Sequence, residues 1–179
     1  MPGADAVRPD PADLALHVRG WLIAAARPEI AAELEGVYAM IADQVEARGP
    51  ACWASGRCCN FKSTGHLLYT TGLEAAATMV GLARVGVSVP SAADVAAAVV
   101  RGDCPFLTMN ACGVHTIKPM GCRVYFCDRG AEEWQEQLSE RSLRAIRQIH
   151  ERHGVEYRYT EWRALLGAMV EVRGGETSL

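Results

Sequence analysis

The strongest constraint on this chain is where its cysteines fall. Four of the seven lie between Cys104 and Cys127, in CPFLTMNACGVHTIKPMGCRVYFC, and the other three, Cys52, Cys58 and Cys59, lie in ACWASGRCCNF. Thiolate is the metal-binding form of cysteine, and several thiolates can be buried together only if they are ligated, protonated or oxidised. Clustering of this kind predicts a shared metal site. Sharing requires the fold to bring the two segments together, so the intervening helices, expected at 72–84 and 92–101, should leave and return as a hairpin.

The chain is long enough that metal is not needed to make up for a small core. A domain of about 150 residues buries about 68–70% of its unfolded surface. A formal charge of −3 gives no electrostatic case for wrapping a phosphate backbone, so nucleic acid is not indicated. No apolar run reaches the ~18 residues of a membrane span, and MPGADAVRPDPADLALHVRG lacks the basic and apolar regions of a secretory signal. A cytoplasmic location is expected. In a reducing compartment an odd number of cysteines points to metal or redox chemistry more than to a disulfide framework.

Residues 1–9 read as a flexible tail, and 10–173 as one domain whose metal-binding segments are 52–66 and 104–127. Asp10 and Pro11 open a helix that places Leu14, Val18, Trp21, Leu22 and Ala25 on one face. From Pro28 to Arg48, the residues Ile30, Leu34, Val37, Tyr38, Ile41 and Val45 recur at helical spacing, and Gly49-Pro50 stops the pattern. Thr71 with Glu74 forms a T-x-x-E capping box, Ser91 with Asp94 opens an alanine-rich helix, and Gly102 closes it. HLLYT (66–70) and VEYRY (155–159) read as short strands. A long helix is predicted over 131–153, with its arginines, His150 and His153 on a solvated face, and Thr160 is expected to cap the last helix. The predicted fold class is therefore mainly α: a single compact helical domain with a few short strands and cysteine-rich loops converging on a central metal site.

Adjacent cysteines on an extended backbone point in different directions, so Cys58 and Cys59 are expected to serve two sites, or one as ligand and one beside it. His66 or His115 could complete a Cys3His set of the kind zinc accepts. Only Cys122-x4-Cys127 approaches the knuckle spacing of structural zinc sites, and cysteine followed by proline, as in Cys104-Pro105, also occurs in ferredoxin ligand runs. Spacing therefore tilts the expectation toward an iron–sulfur cluster over zinc. Arg57 and Arg123 adjoin cysteines and could offset the negative charge of a thiolate site. Nucleotide-binding, zincin, serine-hydrolase and C-x-x-C dithiol motifs are all missing.

Together CWASGRCC, CPFL, CGVH and KPMGCRVYFC, spanning about residues 52–127, resemble the YkgJ-type cysteine-cluster family. That family is described as a zinc- or iron-chelating domain whose pattern runs roughly CxxCGxCC, CPFL, a further cysteine and RPxxCRxFxC. Here Ser55 stands at the family's second cysteine, His115 replaces a tyrosine and Lys118 an arginine. A related domain in flagellin lysine methylases is associated with an iron–sulfur centre. The resemblance implies metal binding through Cys52, Cys58, Cys59, Cys104, Cys112, Cys122 and Cys127, in an electron-transfer, sensing or scaffold role. The competing expectation is an enzyme, either related to the flagellin methylases or a thiol-redox catalyst using Cys58 and Cys59.

Overall fold

The computed structural model describes residues 11–52 and 56–176, so Asp10 and Ser55 lie outside the described residues. Within them the chain forms eight α-helices and four short strands. Two proline-led helices come first: α1 (Pro11–Ala25) and α2 (Pro28–Arg48), the latter with the bounds that its apolar spacing predicts. Gly49 ends α2 in the left-handed region at φ 60 and donates its N–H to the Val45 carbonyl. Then follow α3 (Phe61–Thr64), β1 (Tyr69–Thr71), α4 (Gly72–Gly81) and α5 (Ala92–Arg101). Both predicted capping boxes form, Thr71 with Glu74 at the start of α4 and Ser91 with Asp94 at the start of α5.

The second half holds β2 (Leu107–Thr108), β3 (Ala111–Cys112), α6 (Met120–Val124), α7 (Glu132–His153), β4 (Tyr159–Glu161) and α8 (Trp162–Glu176). Periodicity did not reveal the one-turn helices α3 and α6 or the β2–β3 pair, which are too short to carry a repeating pattern. The strand expected at 155–159 is displaced to Tyr159–Glu161, and the one at 66–70 to Tyr69–Thr71, because these two segments pair antiparallel with Tyr69 opposite Glu161. Thr160 therefore sits inside a strand. The cap of α8 is Glu161 instead, whose carboxylate accepts from the Ala164 N–H at 3.1 Å. The helix runs to Glu176, past the expected limit at 173.

One continuous core holds the helices in two packed groups. In one, α1 and α8 lie against each other and against α4, burying Leu14, Val18 and Trp21 with Leu73, Ala76, Leu165, Leu166 and Met169. Burial of each large side chain contributes roughly 1.5–3 kcal/mol. The first residue of α4, Gly72, lies so close to Trp21 that an added Cβ would overlap the indole ring, while the indole N–H donates to the Glu156 carbonyl at 2.8 Å. In the other group α2 packs on α7 through Ile30, Leu34 and Ile41 and through Leu138, Ile146 and Ile149. Glu33 of α2 pairs there with Arg152 and His153. His150 departs from the expected solvated face: it is 1% exposed.

The expected hairpin of the two intervening helices does not form. α4 packs on α1 and α8, whereas α5 packs on α8. Among the described residues no helix is long and apolar enough to cross a membrane.

Candidate metal centre

The loop after α2 turns at Gly56, which has φ +67, and an added Cβ there would lie 2.7 Å from the Asn110 carbonyl oxygen. Glycine is needed both for the backbone angle and for that approach. Arg57–Cys59 then form a single 3-10 turn, and Asn60 accepts from the Ser63 N–H to start α3. This turn corrects the expectation for the adjacent cysteines. The backbone is not extended, and the Cys58 and Cys59 sulfurs lie 4.0 Å apart.

Backbone hydrogen bonds join the two cysteine segments. The Cys104 N–H donates to the Cys59 carbonyl at 2.9 Å, and the Lys62 N–H to the Gly102 carbonyl at 2.8 Å. The tight turn at Met109 and Asn110, both at positive φ, pairs Leu107 with Cys112 and carries that cysteine back beside β2. Cys122 comes from α6. Cys127 follows a segment held by Gln135, whose side-chain oxygen accepts from the Phe126 N–H at 2.7 Å. The fold thus brings the 50s loop and the 104–127 segment to one place, across the more than forty residues between them.

A cavity of about 820 Å³ opens there. Its walls include Cys52, Cys58, Cys59, Cys112, Cys122 and Cys127, together with His66, His115, Arg57 and Arg123. Cys104 is buried behind Cys59. Cys59 is the hub: its thiol is held protonated, its pKa raised first by its hydrogen bond to Cys104, then by those to Cys112 and Cys58, and by burial. Its three sulfur neighbours shift the other way. The Cys58 pKa falls to about 6, chiefly through the Cys59 hydrogen bond, with Lys118 assisting. That of Cys112 falls to about 7 by the same bond, and that of Cys104 is lowered by it as well, with the Phe106 backbone and the Trp162 indole adding to it. Burial, reinforced by the Cys104 and Cys112 charges, raises the Cys122 thiol.

The seven cysteines are not equivalent. Cys58, Cys104 and Cys112 each interact with the Cys59 thiol, and Cys122 lies within electrostatic reach of Cys104 and Cys112. Cys52 is exposed and Cys127 half-buried on the same cavity. Among the described residues no three His, Cys, Asp or Glu side chains are arranged to hold one ion.

Two observations nevertheless suit a thiophilic metal. The donors are soft sulfurs, three of them shifted toward thiolate. In addition, among the described residues the buried His66 Nδ1 has no partner at hydrogen-bond geometry, and burial, opposed by the Cys58 backbone, lowers the ring's pKa and favours the neutral form that ligates. That ring stacks on Tyr125 with centroids 4.3 Å apart. His115 is exposed, its Nε2 3.2 Å from the Lys118 ammonium, which lowers its pKa. Arg123 donates to the Lys118 and Thr116 carbonyls and lies over the Tyr38 ring, while Arg57 is exposed on the cavity.

Sequence reasoning missed the residue that holds the site's frame. Glu74 is wholly buried and accepts from the Tyr38 hydroxyl (3.2 Å), the Thr70 hydroxyl (3.1 Å), the Thr71 N–H (3.3 Å) and hydroxyl (3.1 Å), and the Met120 N–H (2.8 Å). It ties α2, β1 and α4 to the first residue of α6, two positions before Cys122. Only its capping role was legible, through T-x-x-E.

Compared with known proteins, the chain matches no family model, no curated protein and no solved structure.

Proposed function

We propose that the protein binds metal through its cysteine cluster, with Cys58, Cys59, Cys104 and Cys112 as the primary ligands and Cys122 and His66 as the nearest additional donors. The observation that carries this is the Cys59 thiol, which faces three sulfurs drawn from both cysteine segments at the edge of one cavity. An iron–sulfur cluster is the favoured load. The cavity is far larger than a single ion requires, thiolates are the usual ligands of such clusters, and the sequence resembles a zinc- or iron-chelating family. Bound there, a cluster would supply one-electron chemistry, and the role is electron transfer, sensing or scaffolding. Zinc remains the alternative load: the 4.0 Å between the Cys58 and Cys59 sulfurs is close to the ~3.8 Å edge of a tetrahedron with 2.3 Å zinc–sulfur bonds. Reduced thiols of this kind fit a cytoplasmic setting.

A second reading, a thiol-redox catalyst, is favoured by one feature: Cys58 is exposed while its neighbour Cys59 is buried. Anaerobic purification separates these readings. Broad visible absorption with bound iron is expected, because sulfur-to-iron charge transfer colours such clusters, whereas zinc with its filled d shell is colourless. A colourless protein with stoichiometric zinc would select zinc. Protein free of metal, with rapid alkylation of Cys58, would overturn the metal proposal in favour of the redox enzyme.

A further inference from the structure

The cavity holds more room than a metal centre uses. At about 820 Å³ it has the volume of roughly 27 waters at ~30 Å³ each, and it lies within the ~300–1,000 Å³ typical of small-molecule sites. Its sulfur-bearing wall is only one part. Tyr38, Ile41 and Val45 of α2 form another, and Leu68, Tyr125 and Phe126 a third. These six side chains give it the apolar and aromatic lining that recognises a carbon skeleton.

Arg57, Lys118 and Arg123 line the cavity, and among the described residues no carboxylate does; its anionic groups are the Cys58 and Cys112 thiols, shifted toward thiolate. A four-thiolate site holding zinc or a 2+ cluster has a net charge of about −2, so three cations exceed what the centre itself calls for. Arg123 is committed to two carbonyls and the Tyr38 ring. Arg57 has no ion pair among the described residues, whereas the Lys118 ammonium lies 3.2 Å from the His115 Nε2 and near enough to Cys58 and Cys112 to lower the pKa of both. The centre and its thiols answer two of the three cations, which leaves Arg57 at an apolar chamber with no anionic partner among the described residues.

We propose that this chamber binds a small molecule with an apolar body and one anionic group, of the alkyl- or arylcarboxylate class, with its anion at Arg57 and its body along α2. The inference rests on reading this cavity as the functional site, and it names the ligand that would lie beside the sulfurs.

Octanoate, octanol and octylamine, titrated calorimetrically into the purified protein with metal content measured in parallel, test it. Octanoate should bind, octanol about tenfold more weakly for want of the charge-assisted hydrogen bond, and octylamine not at all. Ala42 lines the cavity and is exposed, so Ala42→Trp should fold, keep the parent's metal content and block octanoate. Arg57→Gln should weaken octanoate about tenfold, and unchanged octanoate affinity in that variant would overturn the proposal. Octylamine binding as tightly as octanoate, or full octanoate affinity in Ala42→Trp, would overturn the proposal. Metal-loaded protein that ignores octanoate refutes the ligand and leaves the metal reading standing, whereas metal-free protein that binds octanoate does the reverse.

Discussion

Replacing Glu74 by glutamine should destabilise the protein by about 2–4 kcal/mol, and the figure follows from the donors around it. All five of its hydrogen bonds are accepted: one carboxylate oxygen takes the Tyr38 hydroxyl and the Met120 N–H, the other both groups of Thr71 and the Thr70 hydroxyl. An amide nitrogen in either place confronts a backbone N–H that cannot rotate away, Met120 in one orientation and Thr71 in the other. A buried donor left without an acceptor costs about 1–3 kcal/mol, and the hydroxyls that must re-aim add about 1 kcal/mol more. Because domains are held by about 5–15 kcal/mol, this is a large fraction of the total. Equilibrium denaturation in urea, comparing the midpoint at unchanged slope, measures it. Release of Met120 should also loosen α6, so metal content should fall with stability. A loss under about 1 kcal/mol would refute the claim that Glu74 is an obligatory acceptor, and unchanged metal content would refute its coupling to Cys122.

Gly72→Ala should cost about 1–3 kcal/mol, read as a lowered melting temperature, because the new Cβ overlaps the Trp21 ring inside the core; wild-type stability would mean that α1 and α4 can part without cost. Cys59→Ser and Cys104→Ser should abolish bound metal by elemental analysis, with Cys52→Ser affecting it least; equal losses from all three would refute the ranking by contact. Metal removal by chelation should loosen the 104–127 segment first, seen as faster amide exchange there than in α1 and α8, and uniform exchange would argue against a structural role for the metal. Burial lowers the His150 pKa, opposed by the Val155 and Glu156 carbonyls and the Glu156 charge. Below the ordinary value of 6.5 the unfolded chain therefore takes up a proton that the folded ring resists. Stability should fall as pH drops below about 6.5 and level off under the folded-state pKa. His150→Asn should shrink that slope, because its amide can keep the bond to a carbonyl; an unaltered pH profile would show that His150 is not the titrating group.

Much of this protein is written in local pattern. The bounds of α2, the two capping boxes and the glycine stops at Gly49, Gly102 and Gly154 can all be read from the sequence, because each depends on residues within a turn or two of one another. The cysteine segments are equally visible as candidates, since clustering is a property of the sequence alone. What pattern could not supply is which surfaces meet. The pairing of Tyr69–Thr71 with Tyr159–Glu161 moves both strands from their expected positions, because the register is set by a partner some ninety residues away. α4 packs on α1 and α8, and α5 on α8, instead of on each other. The 4.0 Å approach of Cys58 to Cys59 arises from a 3-10 turn whose Gly56 must clear Asn110 of the distant hairpin. Glu74 looks like an ordinary cap until Tyr38 and Met120, from helices on either side of it in the chain, bring their donors to the same carboxylate. Capping and periodicity follow from the backbone's own short-range hydrogen bonds and are therefore sequence-local; the choice among cysteines and the burial of one carboxylate depend on long-range burial and donor supply, which exist only once the helices have packed.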